Sequence, residues 1–163
     1  MTKGIVLRKM GPEDQVWVKD LLRERWGSPR IVTRGRVHKV DQLSGFIAED
    51  QETPIGLLTY RIDGDACEIV SLDSLQESGG VGSALVAAVI ETSTKHGCKR
   101  LWLITTNDNI TALRFYQKLG FRLVAVHRNA VDASRELKPE IPLIGMDGIP
   151  IRDEIELELR IDP

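Results

Sequence analysis

The amino-acid sequence predicts an α+β fold with a mixed, mostly antiparallel central sheet flanked by helices. Three observations carry this. The first half of the chain holds closely spaced strand-like runs, two of them joined by a tight Asp63-Gly64-Asp65 turn, as in an antiparallel meander. After Leu72 the pattern becomes helix, strand, helix, strand, the alternation of a crossover unit. The length of 163 residues, with 42% hydrophobic and 28% charged residues, suits one domain of roughly 150 residues with a real core. No repeat, low-complexity stretch or linker interrupts residues 1–163, so a single domain is expected.

Element by element, Ile5–Lys9 reads as a short strand, and Gly11-Pro12-Glu13-Asp14 opens a helix with Pro and acids in its first turn. Val18, Leu21 and Leu22 follow at helical spacing until Gly27-Ser28-Pro29 ends the helix. Arg30–Lys39 reads as irregular and basic. Phe46–Glu49, Ile55–Ile62 and Ala66–Leu72 form the meander. Val81, Ala84, Leu85, Ala88 and Val89 make a helical stripe that Gly97 closes. Leu101–Ile104 is a continuous apolar run, as in a central strand buried on both faces. Asn107-Asp108-Asn109 offers N-cap chemistry to a helix carrying Ala112, Phe115, Tyr116 and Leu119, which Gly120 stops before the strand Phe121–His127. Ala130–Pro142 reads as loop and Met146-Asp147-Gly148 as a turn. Glu154, Glu156 and Glu158 alternate with Ile155, Leu157 and Leu159, the pattern of a strand with one solvated face.

Composition narrows the function classes. Lys and Arg number 22 against 24 Asp and Glu, a net charge of −2 that disfavours a nucleic-acid binder. No apolar run approaches the ~18 residues of a membrane span, and the N-terminal residues lack the apolar region of a signal peptide, so a cytoplasmic protein without a membrane partner is expected. Cys67 and Cys98 have no motif spacing and no His at ligand distance, which supports neither a metal site nor a disulfide framework. They read as buried thiols of a reducing compartment.

Chemistry gathers at two segments. Gly79, Gly80 and Gly82 let the backbone curl before a helix, so that the free amides of Val81, Gly82 and Ser83 point into one concavity suited to a phosphate or diphosphate. A Walker-type loop is excluded, because no Lys lies between Asp73 and Lys95. A dinucleotide fingerprint fits poorly, since Leu85 stands where its third glycine belongs and no acid ends the next strand. The second segment runs from Asn109 to Phe121, in the form N-x-x-A-x-x-F-Y-x-x-x-G-F.

The ordered pair of Ser78-Gly79-Gly80-Val81-Gly82-Ser83-Ala84-Leu85 and Asn109–Phe121 resembles the GNAT superfamily of N-acetyltransferases over at least Phe46–His127. The resemblance implies an acetyl-CoA-dependent enzyme that transfers an acetyl group to a primary amine by direct attack in a ternary complex. It implies a V-shaped split between the fourth and fifth predicted strands. Glu77 through Ser83 would hold the CoA pyrophosphate, the strand edge at Val70 and Leu72 would bond the pantetheine arm, and Asn109 would contact that arm. In the family the loop carries Arg or Gln three residues before its first glycine. Glu77 stands there if Gly80 leads, Gln76 if Gly79 leads. Tyr116 would sit near the thioester sulfur as general acid. Glu68, on the strand before the loop, is the candidate base, with Asp73 and a water chain as the alternatives. The acceptor is a small-molecule or peptide amine, and the family often forms homodimers. Arg23–Lys39 is a solvated basic face, or a rim attracting an anionic acceptor. The rival function is a non-catalytic acyl-CoA-binding sensor or regulatory module on the same fold.

Overall fold

The computed structural model describes residues 4–76 and 79–161. Strand β1 (Ile5–Lys9) leads through a short turn at Pro12–Asp14 into α1 (Gln15–Trp26), which Gly27 stops at φ 82°. The buried Asp14 fixes this junction, because Arg8 donates to both its oxygens at 2.7 Å. Next come β2 (Arg30–Thr33), β3 (Arg36–Lys39), β4 (Ser44–Asp50), β5 (Thr53–Asp63) and β6 (Ala66–Ser74). Helix α2 (Val81–Lys95), β7 (Arg100–Thr106), α3 (Ile110–Lys118), β8 (Arg122–His127), α4 (Ala130–Leu137) and β9 (Glu154–Arg160) complete the chain.

Seven strands form one open sheet in the order β1-β4-β5-β6-β7-β9-β8. Among the described residues only β6 and β7 pair in parallel; every other neighbour is antiparallel. The fold is the predicted α+β class with a mixed, mostly antiparallel sheet. The anticipated split also lies between the fourth and fifth predicted strands, now β6 and β7. One core packs α2 and Tyr116 of α3 on one sheet face, through Val81, Leu85, Val89, Leu101 and Leu157. A second packs α1 and β2 on the other, through Val18, Leu22, Ile31, Leu57 and Val70. None of the helices among the described residues is long and apolar enough to cross a membrane.

Three local expectations change. Arg30–Lys39 is a hairpin rather than irregular chain, turning at Arg34 (φ 49°) and Gly35 (φ 73°). Its inward positions are Ile31, Thr33 and His38, so two of three buried side chains are polar and no apolar alternation marks it. Ala130–Leu137 is a helix rather than loop, and its buried stripe continues past its end as Val131, Ser134 and Lys138, again mostly polar. The glutamates of β9 are paired rather than solvated. β9 inserts between β7 and β8, and Glu156 meets Arg100 at 2.7 Å and His127 at 3.0 Å. Glu154 is 2% exposed and accepts from the Arg34 backbone and from Ser134.

Candidate active site

The split starts at a bulge. The β6–β7 ladder ends at the Ile69–Leu103 pair. On the other side of β6, Ile69 pairs with Tyr60 and Ser71 with Thr59, leaving Val70 as an extra residue. Such a residue bends its strand and reverses the facing of the residues beyond it. Before the bulge Cys67 and Ile69 face the α2 core; after it Leu72 does. Val70 faces the α1 core, and Asp73 reaches Trp26 of α1. Glu68 and Val70 therefore share a face that Leu72 does not, contrary to unbroken strand parity. The rest of β6 peels away from β7 and opens a cleft of about 990 Å³.

At one end of the cleft stands the start of α2. Gly79 and Gly80 have φ of 97° and 77°, the left-handed region where glycine costs least. No side chain among the described residues caps α2, and its first internal bond is Ala84 N–H to the Gly80 carbonyl at 3.0 Å. The amides of Val81, Gly82 and Ser83 precede that bond, and these residues line the cleft. At Gly82 a Cβ would lie 3.1 Å from the Phe115 ring, so the ring would have to give by a few tenths of an ångström to admit a side chain. Glu77 and Ser78 fall outside the described residues.

Tyr116 forms the floor. It is 6% exposed and held edge-to-face between Phe115 and Phe121, with ring centroids 5.0 and 5.3 Å away. Burial, and secondarily the nearby Asp73 charge, pushes its hydroxyl above the ordinary phenol value. Asp73 lines the same cleft, and burial raises its carboxyl above the usual range although Trp26 Nε1 donates to both its oxygens at 3.2 and 3.3 Å. Asn109 lines the cleft while its Oδ1 accepts the Ala112 amide at 3.0 Å, capping α3. Leu72 lines it too; Val70 does not, lying buried against α1 instead.

Glu68 is elsewhere. It is buried beneath the β2–β3 hairpin, where Thr33 Oγ1 donates to it at 2.7 Å, and it does not line the cleft. Burial raises its carboxyl and lowers the neighbouring His38 to about 4, so the imidazole is neutral. Thr33 Oγ1 bonds His38 Nε2 at 2.7 Å, completing a polar latch that docks the hairpin. Three of the six cations in the basic stretch carry ion pairs: Arg23 with Asp20, Arg34 with Glu154 and Arg36 with Asp63. Of its cations only Arg25 lines the cleft.

The tail from Arg135 onward, which the sequence leaves able to close over an acceptor, supplies the far wall of the cleft. Residues 142–151 form a strap that places Pro142, Gly145, Met146 and Ile151 along the cleft. Asp108 holds it by accepting from Met146 N–H at 3.0 Å and from Thr106 Oγ1 at 2.5 Å. Asn107 bonds Pro150 O, Arg152 N and Asp153 N. Arg135 donates to the carbonyls of Pro142 and Ile151 at 2.7 Å. The one local sign was Asn107-Asp108 preceding a helix already capped by Asn109. Gly145 has no room for a side chain, because a Cβ would run into Asp108 Oδ2 and lie 2.8 Å from Ile151 Cγ1. Gly145→Ala is expected to destabilise the protein by about 1–3 kcal/mol, the usual range for overpacking, read as a lower denaturation midpoint in urea.

Comparison with known sequences bears on this geometry directly. A sequence profile for the acetyltransferase (GNAT) family matches residues 13–121. The chain belongs to the GNAT acetyltransferase family. This GNAT protein is 46% identical over 144 residues to the uncharacterized protein YdhI of Bacillus subtilis (strain 168), covering 88% of this chain and 90% of the relative. Its fold is similar to an IAA acetyltransferase from Bacillus cereus ATCC 14579, with a TM-score of 0.71 and 20% identity over 96% of this chain and 99% of that one. It is also similar to a Bacillus subtilis acetyltransferase in complex with CoA, with a TM-score of 0.67 and 23% identity over 97% and 98% of the two chains.

Proposed function

We propose that this GNAT acetyltransferase transfers an acetyl group from acetyl-CoA to a primary amine by direct attack in a ternary complex. The observation that carries the reading is one cleft that joins the start of α2, which no described side chain caps, the end of β6 that leaves β7, Tyr116 and Asp73. The residues present fit the cosubstrate. Val81, Gly82 and Ser83 offer amides to a diphosphate at the positive end of a helix. The β6 edge beyond Ile69 offers backbone groups to the pantetheine arm, and Leu72 and Phe115 line its path. A similar fold holds CoA in the Bacillus subtilis acetyltransferase.

When bound, acetyl-CoA supplies the electrophilic thioester carbonyl. The chain's own groups do the rest. Asp73 holds the acceptor's ammonium and takes its proton, since a carboxylate raised by burial is a stronger base than one in water. Backbone N–H groups at the β6 edge stabilise the developing oxyanion. Tyr116 keeps its Oη proton beyond the ordinary phenol pKa and so has one to give to the departing sulfur. No covalent acyl-enzyme is invoked: Cys67 is buried and its thiol is raised to about 11, the opposite of an activated nucleophile. The free, buried state of both cysteines suits a reducing cytoplasm.

The test is calorimetric titration with acetyl-CoA followed by thiol release with a panel of primary amines. Saturable binding with amine-dependent release is expected. Binding without release from any amine would favour the sensor module instead. Glu68, placed under the hairpin, is expected to be dispensable: Glu68→Gln should keep turnover within about twofold, because it touches nothing in the cleft. A large loss of kcat at an unchanged melting temperature would return the base role to Glu68.

A further inference from the structure

From the acceptor end of the cleft we infer that the preferred substrate is a monoamine on a compact apolar body, neither a polyamine nor a peptide. This rests on the amine-acetyltransferase reading and names the substrate class of that site. The first observation is the balance of charge. Among the described residues two acids line the cleft, Asp73 and Asp108. Asp108 is already engaged, accepting from Thr106 and from the Met146 backbone. Asp73 accepts one N–H, that of Trp26, shared between its oxygens, whereas Asp108 accepts a separate donor on each oxygen; Asp73 therefore keeps more lone pairs for an ammonium group, and at 6% exposed it balances one cation there. A second positive charge would find Arg25 at the rim, a guanidinium exposed to solvent.

The second observation is the wall. Beyond Asp73 the cleft is bounded by Trp26, Pro142, Met146 and Ile151. Trp26 is 37% exposed and its indole N–H already points at Asp73, which fixes the ring beside the site where the ammonium must bind. Met146, 47% exposed, adds an adaptable apolar surface to the same cleft. The strap bearing Pro142 and Met146 is pinned by Asp108, Asn107 and Arg135, so the wall is set before substrate arrives. Part of its polar backbone is turned inward on internal bonds: Gly145 N–H reaches Ile149 O and Ile151 N–H reaches Leu143 O. A peptide would have to find its own backbone partners against that wall, whereas an apolar body needs none.

Thiol release with acetyl-CoA tests this on 2-phenylethylamine, spermidine, L-phenylalanine and an alanine-terminated tripeptide. The expected result is a kcat/KM for 2-phenylethylamine at least about tenfold above each of the others. Trp26→Ala should raise its KM about tenfold while acetyl-CoA affinity is unchanged; Trp26→Phe, which keeps a ring, should recover part of that loss. Preference for spermidine or for the tripeptide overturns the inference, as does preference for L-phenylalanine, which would assign Arg25 to a carboxylate. Calorimetry of 2-phenylethylamine against 3-phenylpropionate on the CoA-loaded protein separates the two readings. If no amine releases thiol but 2-phenylethylamine alone binds, the transfer reading fails and the site preference stands. If neither binds, the site preference fails.

Discussion

Replacing Tyr116 by Phe is expected to lower kcat by about 100-fold, at the lower end of what a positioned proton donor contributes. The substitution removes one oxygen and leaves the ring, whose edge-to-face contacts with Phe115 and Phe121 hold the α3 stripe in the core. The melting temperature should therefore move little, and acetyl-CoA should bind as before, since the α2 amides and the β6 edge are untouched. The loss belongs in kcat, because the hydroxyl acts only when the carbon–sulfur bond breaks. Steady-state kinetics beside a thermal melt reads both quantities. Because burial lifts the Tyr116 proton beyond the ordinary phenol range, the wild-type enzyme should keep its acid well into alkaline solution. A Tyr116→Phe protein that turns over like wild type would remove the residue from the chemistry and leave it a core aromatic.

Asp73→Asn is expected to cost about 100-fold or more in kcat/KM while making the protein more stable. The two effects share one cause. Burial holds the folded carboxyl above its unfolded value, so the native state binds this proton more tightly than the unfolded chain does. In the pH window between the unfolded and folded values, the folded chain then carries more protons than the unfolded one. Stability contributed by this group is present below that window and is lost as pH rises through it. Asparagine has no charge to desolvate and still offers an oxygen to Trp26 Nε1, so above the window the variant should melt higher. Activity runs the other way: wild-type kcat/KM should fall as pH drops through the raised Asp73 value, and the variant should lose that limb. Full turnover by Asp73→Asn would end the assignment of Asp73 as base.

These expectations depend on how differently the parts of the site are encoded. The half proposed for the cosubstrate was legible in sequence, because its physics is local. Gly79 and Gly80 turn into a helix whose start no described side chain caps, and Asn109 caps the next helix, all within a few residues of where each motif sits. The half proposed for the acceptor was legible only in part. Asp73 stood as an alternative to Glu68, but its side of the strand is set by an extra residue at Val70 that reverses strand facing, and a bulge leaves no mark in a run such as Ile69-Val70-Ser71-Leu72. The same reversal separates Leu72, in the cleft, from Glu68 and Val70 beneath α1 and the hairpin.

The sequence by itself determined the α+β class, the order of most elements, the helix starts and stops, and the glycine turn that opens α2. Each of these rests on periodicity, capping and glycine, which act between neighbours along the chain. The tertiary structure decided that Asp73 and not Glu68 lines the cleft with Tyr116, that β9 enters the sheet between β7 and β8, and which residues of the C-terminal region wall the cleft. The hairpin and α4 escaped for a related reason: their buried positions include Thr33, His38, Ser134 and Lys138, polar groups satisfied by partners 20 or more residues away or across the hairpin. Burial of an apolar side chain can be anticipated from spacing, whereas burial of a polar one depends on a distant partner that only folding brings into reach.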